Sequence, residues 1–204
     1  MAASTSPIIA VFDFDNTLTN RDSLVPFLFH IHGFWKTIYH FIALIPAFTG
    51  YFAGALSRQQ IKERILTRFI GSRLFGDVQA LGKIYADQQL DRYLKPEALK
   101  RLTWHQAQGH RCLLVSASLE FYLKPWAKRH GFEKVIASRL ELTPTEHITG
   151  RLIGLNCWGP EKKRRLLAYL DSTTTQAQFY VYGDSRGDHE ILALADYPFY
   201  RKFK

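Results

Sequence analysis

Two aspartates, Asp13 and Asp15, stand two positions apart at the end of the apolar run Ile8-Ile9-Ala10-Val11-Phe12, and Asn16-Thr17 follows them. Carboxylates this close repel each other unless a cation or a shared proton compensates, so the pair suggests a divalent metal site. A strand closed by an Asp-Asn turn would carry the same residues with no chemistry attached. Further polar groups follow: Ser116 behind an apolar run, Lys162 behind Gly159-Pro160, and Asp184 with Asp188 in Gly183-Asp184-Ser185-x-x-Asp188. Each alone is weak, because strands often end in serine and a lone lysine is usually a solvated face. Their order along the chain is the stronger signal.

The elements that must position these groups alternate. Short, nearly continuous apolar runs at 8–12, 111–118, 134–141 and 178–185 read as buried parallel strands. Helical spacing fills 97–108, 120–130 and 159–170, with Pro96 opening the first of these and Gly109 ending it. A small hairpin is expected near 148–152, a short helix at 188–194 and a last strand at 198–200. Strands alternating with helices predict an α/β protein: a Rossmann-like, three-layer α/β/α parallel sheet. In such a sheet the carboxyl ends of the strands share one edge, where ligands bind. Residues 20–94 break the alternation and read as an α-helical insertion, leaving 1–19 with 95–204 as the core.

The insertion is unusual in composition. Residues 23–35 are apolar almost all round; after Lys36, residues 37–57 contain no Asp, Glu, Lys or Arg. That length reaches the ~20 residues of a membrane span, but Pro46, Gly50 and Gly54 interrupt it and His40 dilutes it. Arg58, Lys62, Arg64, Arg68 and Arg73 follow, opposed only by Glu63. Three readings stand side by side: a buried helix pair, a hairpin lying on a membrane surface beside basic anchors, and a true span. From 59 to 93 the pattern becomes amphipathic, with Gly71 and Gly76 expected to break two helices.

The composition narrows the function. At 204 residues with 47% hydrophobic and 14% aromatic content, the chain can bury a substantial core. Two cysteines, Cys112 and Cys157, give neither a disulfide framework nor a metal-knuckle spacing. The stretch Met1 to Pro7 lacks the basic-then-apolar layout of a secretion signal, so a cytoplasmic location is expected, at the inner membrane face if the surface hairpin holds. A net charge of +9 favours anionic partners: phosphorylated small molecules, a lipid head group or an anionic membrane surface. Nucleic acid is a minor prospect, because no zinc-finger spacing, aromatic RNA-binding signature or basic tail accompanies the charge. Oligomeric state is not readable. The pair His30 and His32 has no further ligands near it in sequence and signals nothing specific.

With these motifs in this order, the chain resembles the haloacid dehalogenase superfamily of phosphatases. Within it the resemblance is to the phosphoserine-phosphatase-like branch, which inserts a helical cap after the first strand. Asp13-Phe14-Asp15-Asn16-Thr17 matches the first motif, Ser116 the second, Lys162 the third, and Gly183-Asp184-Ser185-x-x-Asp188 the fourth. The resemblance implies a magnesium-dependent phosphomonoester hydrolase. Asp13 would attack phosphorus, and Asp15 would serve as acid and then base. Mg2+ would be held by the Asp13 and Asp184 carboxylates and the Asp15 backbone carbonyl. Ser116 and Lys162 would hold the phosphoryl oxygens, with Asp188 orienting Lys162 or a metal-bound water. Lys163, Arg164 and Arg165 read as a solvated helix face.

On the substrate side the resemblance points to Thr17, Asp22, Ala117 and Ser118. Phosphoserine phosphatases place a glutamate nine positions after the nucleophile; here Asp22 stands there, as a substrate contact or as a helix cap. Their second motif continues with two glycines, where this chain reads Ser116-Ala117-Ser118. The expected substrate is therefore left between two classes. One is a phospholipid head-group phosphate, since phosphatidylglycerophosphate phosphatases also pair these motifs with a hydrophobic insertion. The other is a soluble serine, sugar or amino-alcohol phosphate. Phosphoryl transfer to an alcohol and a non-enzymatic membrane-surface module are the remaining alternatives.

Overall fold

Complete burial on both faces is what selects the central strand: Ile9, Ala10, Val11 and Phe12 expose nothing to solvent. The computed structural model describes residues 7–170 and 177–203. In chain order its strands are β1 (Ile8–Phe12), β2 (Arg111–Leu119), β3 (Lys134–Ser138), β4 (Leu140–Leu142), β5 (Ile148–Leu152), β6 (Gln178–Gly183) and β7 (Tyr197–Tyr200). The helices are α1 (Leu24–Ala43), α2 (Ile45–Phe52), α3 (Arg58–Ile70), α4 (Phe75–Gln88), α5 (Pro96–Ala107), α6 (Glu120–Arg129), α7 (Pro160–Tyr169) and α8 (His189–Leu192). Five strands form one parallel sheet in the order β3-β2-β1-β6-β7.

Side chains alternate across this sheet and feed two cores, as the two-residue period requires. Phe12 and Leu114 face a core shared with Ala98 and Leu102 of α5 and Leu123 and Trp126 of α6. Ile9, Val11, Leu113 and Val181 face the other, closed by Leu166 of α7 and Ile191 of α8. The three-layer α/β/α arrangement read from the sequence is the one observed. One strand is shorter than expected: β3 stops at Ser138, and 140–142 instead pairs antiparallel with β5 as a separate hairpin. That hairpin packs on α3, and Leu74 bridges to His147.

The chain leaves and rejoins the core at one place. Asn20 N donates to Tyr93 O at 2.8 Å, Lys95 N to Leu18 O at 2.9 Å, and Thr19 bridges to Leu94. Between these crossings run α1 to α4. Helix α1 runs on through Lys36 and kinks at Gly33, whose φ of 70° suits glycine. Gly71 does end α3, but Gly76 lies in the first turn of α4 and breaks nothing. Ser57 and Gln60 close α3 with a reciprocal capping box.

Among the described residues, no helix is long and apolar enough to cross a membrane, which removes the spanning reading of 37–57. The buried-pair reading holds for one edge only. Phe27, Leu28, Leu44 and Ala47 are buried, whereas Phe34, Trp35, Tyr39, Ile42, Ile45 and Phe52 are exposed. Apart from Pro7, the N-terminal stretch read for a secretion signal lies outside the described residues.

Candidate active site

The parallel sheet carries Asp13, Ser116 and Asp184 to its carboxyl edge, and α7 begins close by with Lys162 in its first turn. Asp13 follows β1 directly and its N–H donates to Tyr182 O of β6 at 2.9 Å, which continues the sheet ladder by one residue. The backbone then turns through Phe14–Leu18, with Asn16 in the left-handed region at φ 57°. Asparagine tolerates that conformation better than most residues.

Lys162 is the hub. Its Nζ lies 2.6 Å from Asp13 Oδ1 and 2.6 Å from Asp188 Oδ1, and all three residues are buried. On the other side of Asp13, the Thr17 hydroxyl donates toward Asp13 Oδ2 at 3.1 Å and Asp184 Oδ1 at 3.0 Å. Asp188 has no oxygen to spare. Its Oδ2 accepts from Ser185 N at 3.0 Å, Ser185 Oγ at 2.9 Å and Asp184 N at 3.2 Å. Gly183 makes this closure possible, because a Cβ there would stand 2.5 Å from Asp188 Cβ.

Charge does not balance at this point. Ionised, Asp13, Asp184 and Asp188 carry three negative charges against the buried positive charge of Lys162 and the weaker pull of Lys95 on Asp184. Burial works against the Lys162 ammonium, but Asp13 and Asp188 outweigh it and hold the proton more tightly than usual. Asp188 stays ionised: burial opposes its charge, and Lys162 with the Ser185 hydrogen bonds overcomes that. Asp13 is left under-compensated. Burial pushes its carboxyl up to about 8, despite Lys162, with Asp188 and Asp15 adding to the rise. Asp184 is also raised, first by burial. Oxygen atoms of Asp13, Asp184 and Asp188 lie within 4.8 Å of one another. With Asp188 fully engaged, Asp13 and Asp184 are the two carboxylates able to turn to a cation. A surplus of negative charge and an all-oxygen donor set fit a hard divalent ion such as Mg2+.

Asp15 belongs to a second network, on the insertion side. Its Oδ1 accepts from Ser23 N at 2.8 Å, and Ser118 Oγ donates to its Oδ2. Ser23 Oγ in turn lies 2.9 Å from Ser118 Oγ and 3.1 Å from Tyr122 OH, while Tyr85 OH donates to Ser23 O at 2.9 Å. Burial, and then the charge of Asp22, push the Asp15 carboxyl up to about 6, opposed by the bonds from Ser118 and Ser23. A carboxyl poised there can give a proton and take it back near neutral pH.

The remaining expected residues are placed as follows. Ser116 is buried within β2, two residues past Leu114, the last β2 residue paired with β1, and its Oγ accepts from Ser118 N at 3.0 Å. Ser118, expected on the substrate side, binds Asp15. Asp22 caps α1, its Oδ1 accepting from Leu24 N at 2.9 Å and Val25 N at 3.1 Å. Ala117 offers its backbone carbonyl to Lys62 Nζ, which also donates to Asn156 Oδ1 at 2.9 Å. Arg164 and Arg165 both pair with Glu161, and Arg165 also reaches Ala137 O, so Arg165 is not a merely solvated face.

Lys62 is a residue that the basic-cluster reading misplaced. It points inward, and burial lowers its ammonium to about 8 against the pull of Asp15 and Asp22. The signal was present: Lys62 is three and four positions from Ile65 and Leu66, on the face α3 buries. Ser23, Tyr85, Tyr122 and Asn156 carried no such signal. The cavity beside Asp184, lined by Asn16, Thr17, Lys95 and Arg201, holds about 10 Å³, room for about one water. A cavity of about 770 Å³ between α4, α6 and the β4–β5 hairpin lies away from these carboxylates.

A model of the haloacid dehalogenase-like hydrolase family matches residues 10–193. Protein CicA of Caulobacter vibrioides is 31% identical over 97% of this chain and 87% of its own. A histidinol-phosphatase of Neisseria meningitidis is 23% identical over 93% and 88%. The crystal structure of a Bordetella pertussis protein of unknown function superposes with a TM-score of 0.77 at 24% identity, covering 93% of this chain and 87% of that one. The crystal structures of a probable phosphoserine phosphatase from Vibrio cholerae (TM-score 0.62, covering 93% of this chain and 54% of that one) and of a substrate-bound phosphoserine phosphatase (TM-score 0.58, 94% and 84%) share the fold as well, each at 14% identity.

Proposed function

The chain belongs to the haloacid dehalogenase-like hydrolase family, and we propose that it is a magnesium-dependent phosphomonoester phosphatase working through a phosphoryl group carried on Asp13. The observation that carries this reading is the junction of Asp13 with Lys162 on one side and, through Thr17, with Asp184 on the other. A nucleophilic carboxylate needs a cation at hand to approach an anionic phosphate, and this one has a lysine and a place for a metal.

Asp13 attacks phosphorus while the ester oxygen leaves with the proton held by Asp15. Asp15, now ionised, takes a proton from the water that releases phosphate from Asp13. Held by the Asp13 and Asp184 carboxylates and the Asp15 backbone carbonyl, Mg2+ would supply positive charge to the phosphoryl oxygens. Lys162, fixed by Asp188, and Ser116 serve the same oxygens from the protein side.

The substrate is the ester of a small amino alcohol or sugar, in line with the histidinol-phosphatase relative. A lipid head-group phosphate such as phosphatidylglycerophosphate is a second reading, favoured by the exposed apolar face of α1 and α2. A phosphate-release screen containing both classes, with Mg2+ and with chelator, tests the function. Turnover that needs Mg2+ and vanishes in Asp13→Asn is expected. Hydrolysis of no ester in the screen, or full activity in Asp13→Asn, overturns it. Phosphate appearing on an added alcohol instead of in solution would mark a phosphotransferase.

A further inference from the structure

We infer that the outer face of α1 and α2 is a docking surface for anionic lipid bilayers. The kink at Gly33 turns the second half of α1 so that Trp35, Tyr39 and Ile42 fall on one side at helical spacing. Leu44 alone separates α1 from α2, and Ile45 and Phe52 extend the same apolar exposure. Trp35 is 81% exposed, Phe52 80% and Tyr39 64%, with Phe34 beside them. Scattered apolar residues on a surface are ordinary, but six large apolar side chains exposed along adjoining helices, four of them aromatic, are a concentration of the kind that marks an interaction site.

The charges around this face choose the occupant. No Asp or Glu occurs from Ser23 to Lys62, and Lys36 is the sole Lys or Arg from 24 to 57. Exposed Arg68 stacks its guanidinium 5.5 Å from the Tyr39 ring centre, and exposed Arg64 lies one turn earlier on α3. His32 and His40, beneath the face, register the same field. Burial first lowers both, and Arg73 and Lys36 act further on His32, Arg68 and Lys36 on His40. An apolar, Trp- and Tyr-bearing helical face rimmed by cations, with no carboxylate along its own helices, matches the headgroup region of an anionic bilayer. A second copy of this face would bring the same positive rim against itself, which disfavours self-association.

This inference does not rest on the phosphatase reading, and it is tested without catalysis. Full-length protein carrying Asp13→Asn is floated with vesicles of phosphatidylcholine alone or mixed equally with phosphatidylglycerol. Binding to the mixed vesicles that is about tenfold or more stronger than to neutral ones, and weakened by salt, is expected. Adding Trp35→Ser and Phe52→Ser should abolish flotation, and Arg68→Glu should reduce it while leaving the circular dichroism spectrum unchanged. Binding by the wild-type face should shift tryptophan emission to the blue, an effect lost with Trp35→Ser. Equal affinity for the two vesicle types, flotation indifferent to Trp35 and Phe52, or a dimer in light scattering that those substitutions dissolve would each overturn the proposal.

Discussion

Replacing Ser118 with alanine removes the hydroxyl that donates to Asp15 Oδ2 and leaves that carboxylate with Ser23 N as its remaining close donor. Burial and Asp22 already hold Asp15 at about 6, and Ser118 is the strongest of the bonds opposing the rise. A hydrogen bond to an ionised group contributes about 1.5–3 kcal/mol. At about 1.4 kcal/mol per unit, its loss should raise the Asp15 pKa by about one to two units, and the lower figure is expected because Ser23 Oγ is freed to turn toward Asp15. Asp15 must be protonated to release an alkoxide, so kcat/KM for an alkyl phosphate should fall on the alkaline side near this pKa. In Ser118→Ala the fall should move upward by about one unit. Titration of the substrate phosphate, near pH 6, is common to both enzymes and cancels. Nitrophenyl phosphate, whose leaving group needs no acid, is the control and should show no shift. A limb that stays put, moves down, or shifts equally for both esters would refute the assignment of Asp15 as the acid.

Lys162→Met leaves Asp13 and Asp188 as buried, unpaired carboxylates and should cost about 3–5 kcal/mol in denaturant unfolding without metal, along with nearly all activity. Mg2+ should raise the melting temperature, with a gain of about 2.7 kcal/mol at a hundredfold excess over its dissociation constant, and Asp184→Asn should remove most of that gain. Buried His105 is held down to about 3, first by burial and then by Arg101 and His110. Below about pH 6.5 the unfolded chain takes up a proton that folded His105 refuses. Its contribution to stability is therefore intact above pH 6.5 and falls by up to about 1.4 kcal/mol per unit down to about 3; His105→Gln, followed by urea titration, should flatten this slope.

The sheet, and the meeting of Asp13 with Asp184 at its edge, were legible in the sequence because each of these carboxylates follows a buried apolar run. Strand burial and strand end leave their mark within a few residues, as at Phe12-Asp13 and Tyr182-Gly183-Asp184. What escaped was contact between distant segments. Ser23 and Ser118 meet across ninety-five positions, and neither residue alone signals a partner. Arg139 reads like a continuation of β3, yet the next residues pair with β5 because α3 needs a cover. The apolar content of 37–57 was plain. Its division into a packed edge and an open face depends on the Gly33 kink, which periodicity across 24–43 does not reveal.

The central claim, covalent catalysis by Asp13, is tested most directly by quenching the enzyme in acid during turnover with Mg2+ and a phosphate ester. Peptide mass spectrometry should then find an acid-stable, hydroxylamine-labile phosphoryl group on the peptide containing Asp13, absent from Asp13→Asn. Turnover with no phosphorylated protein, or with the phosphoryl group on another residue, would contradict the account.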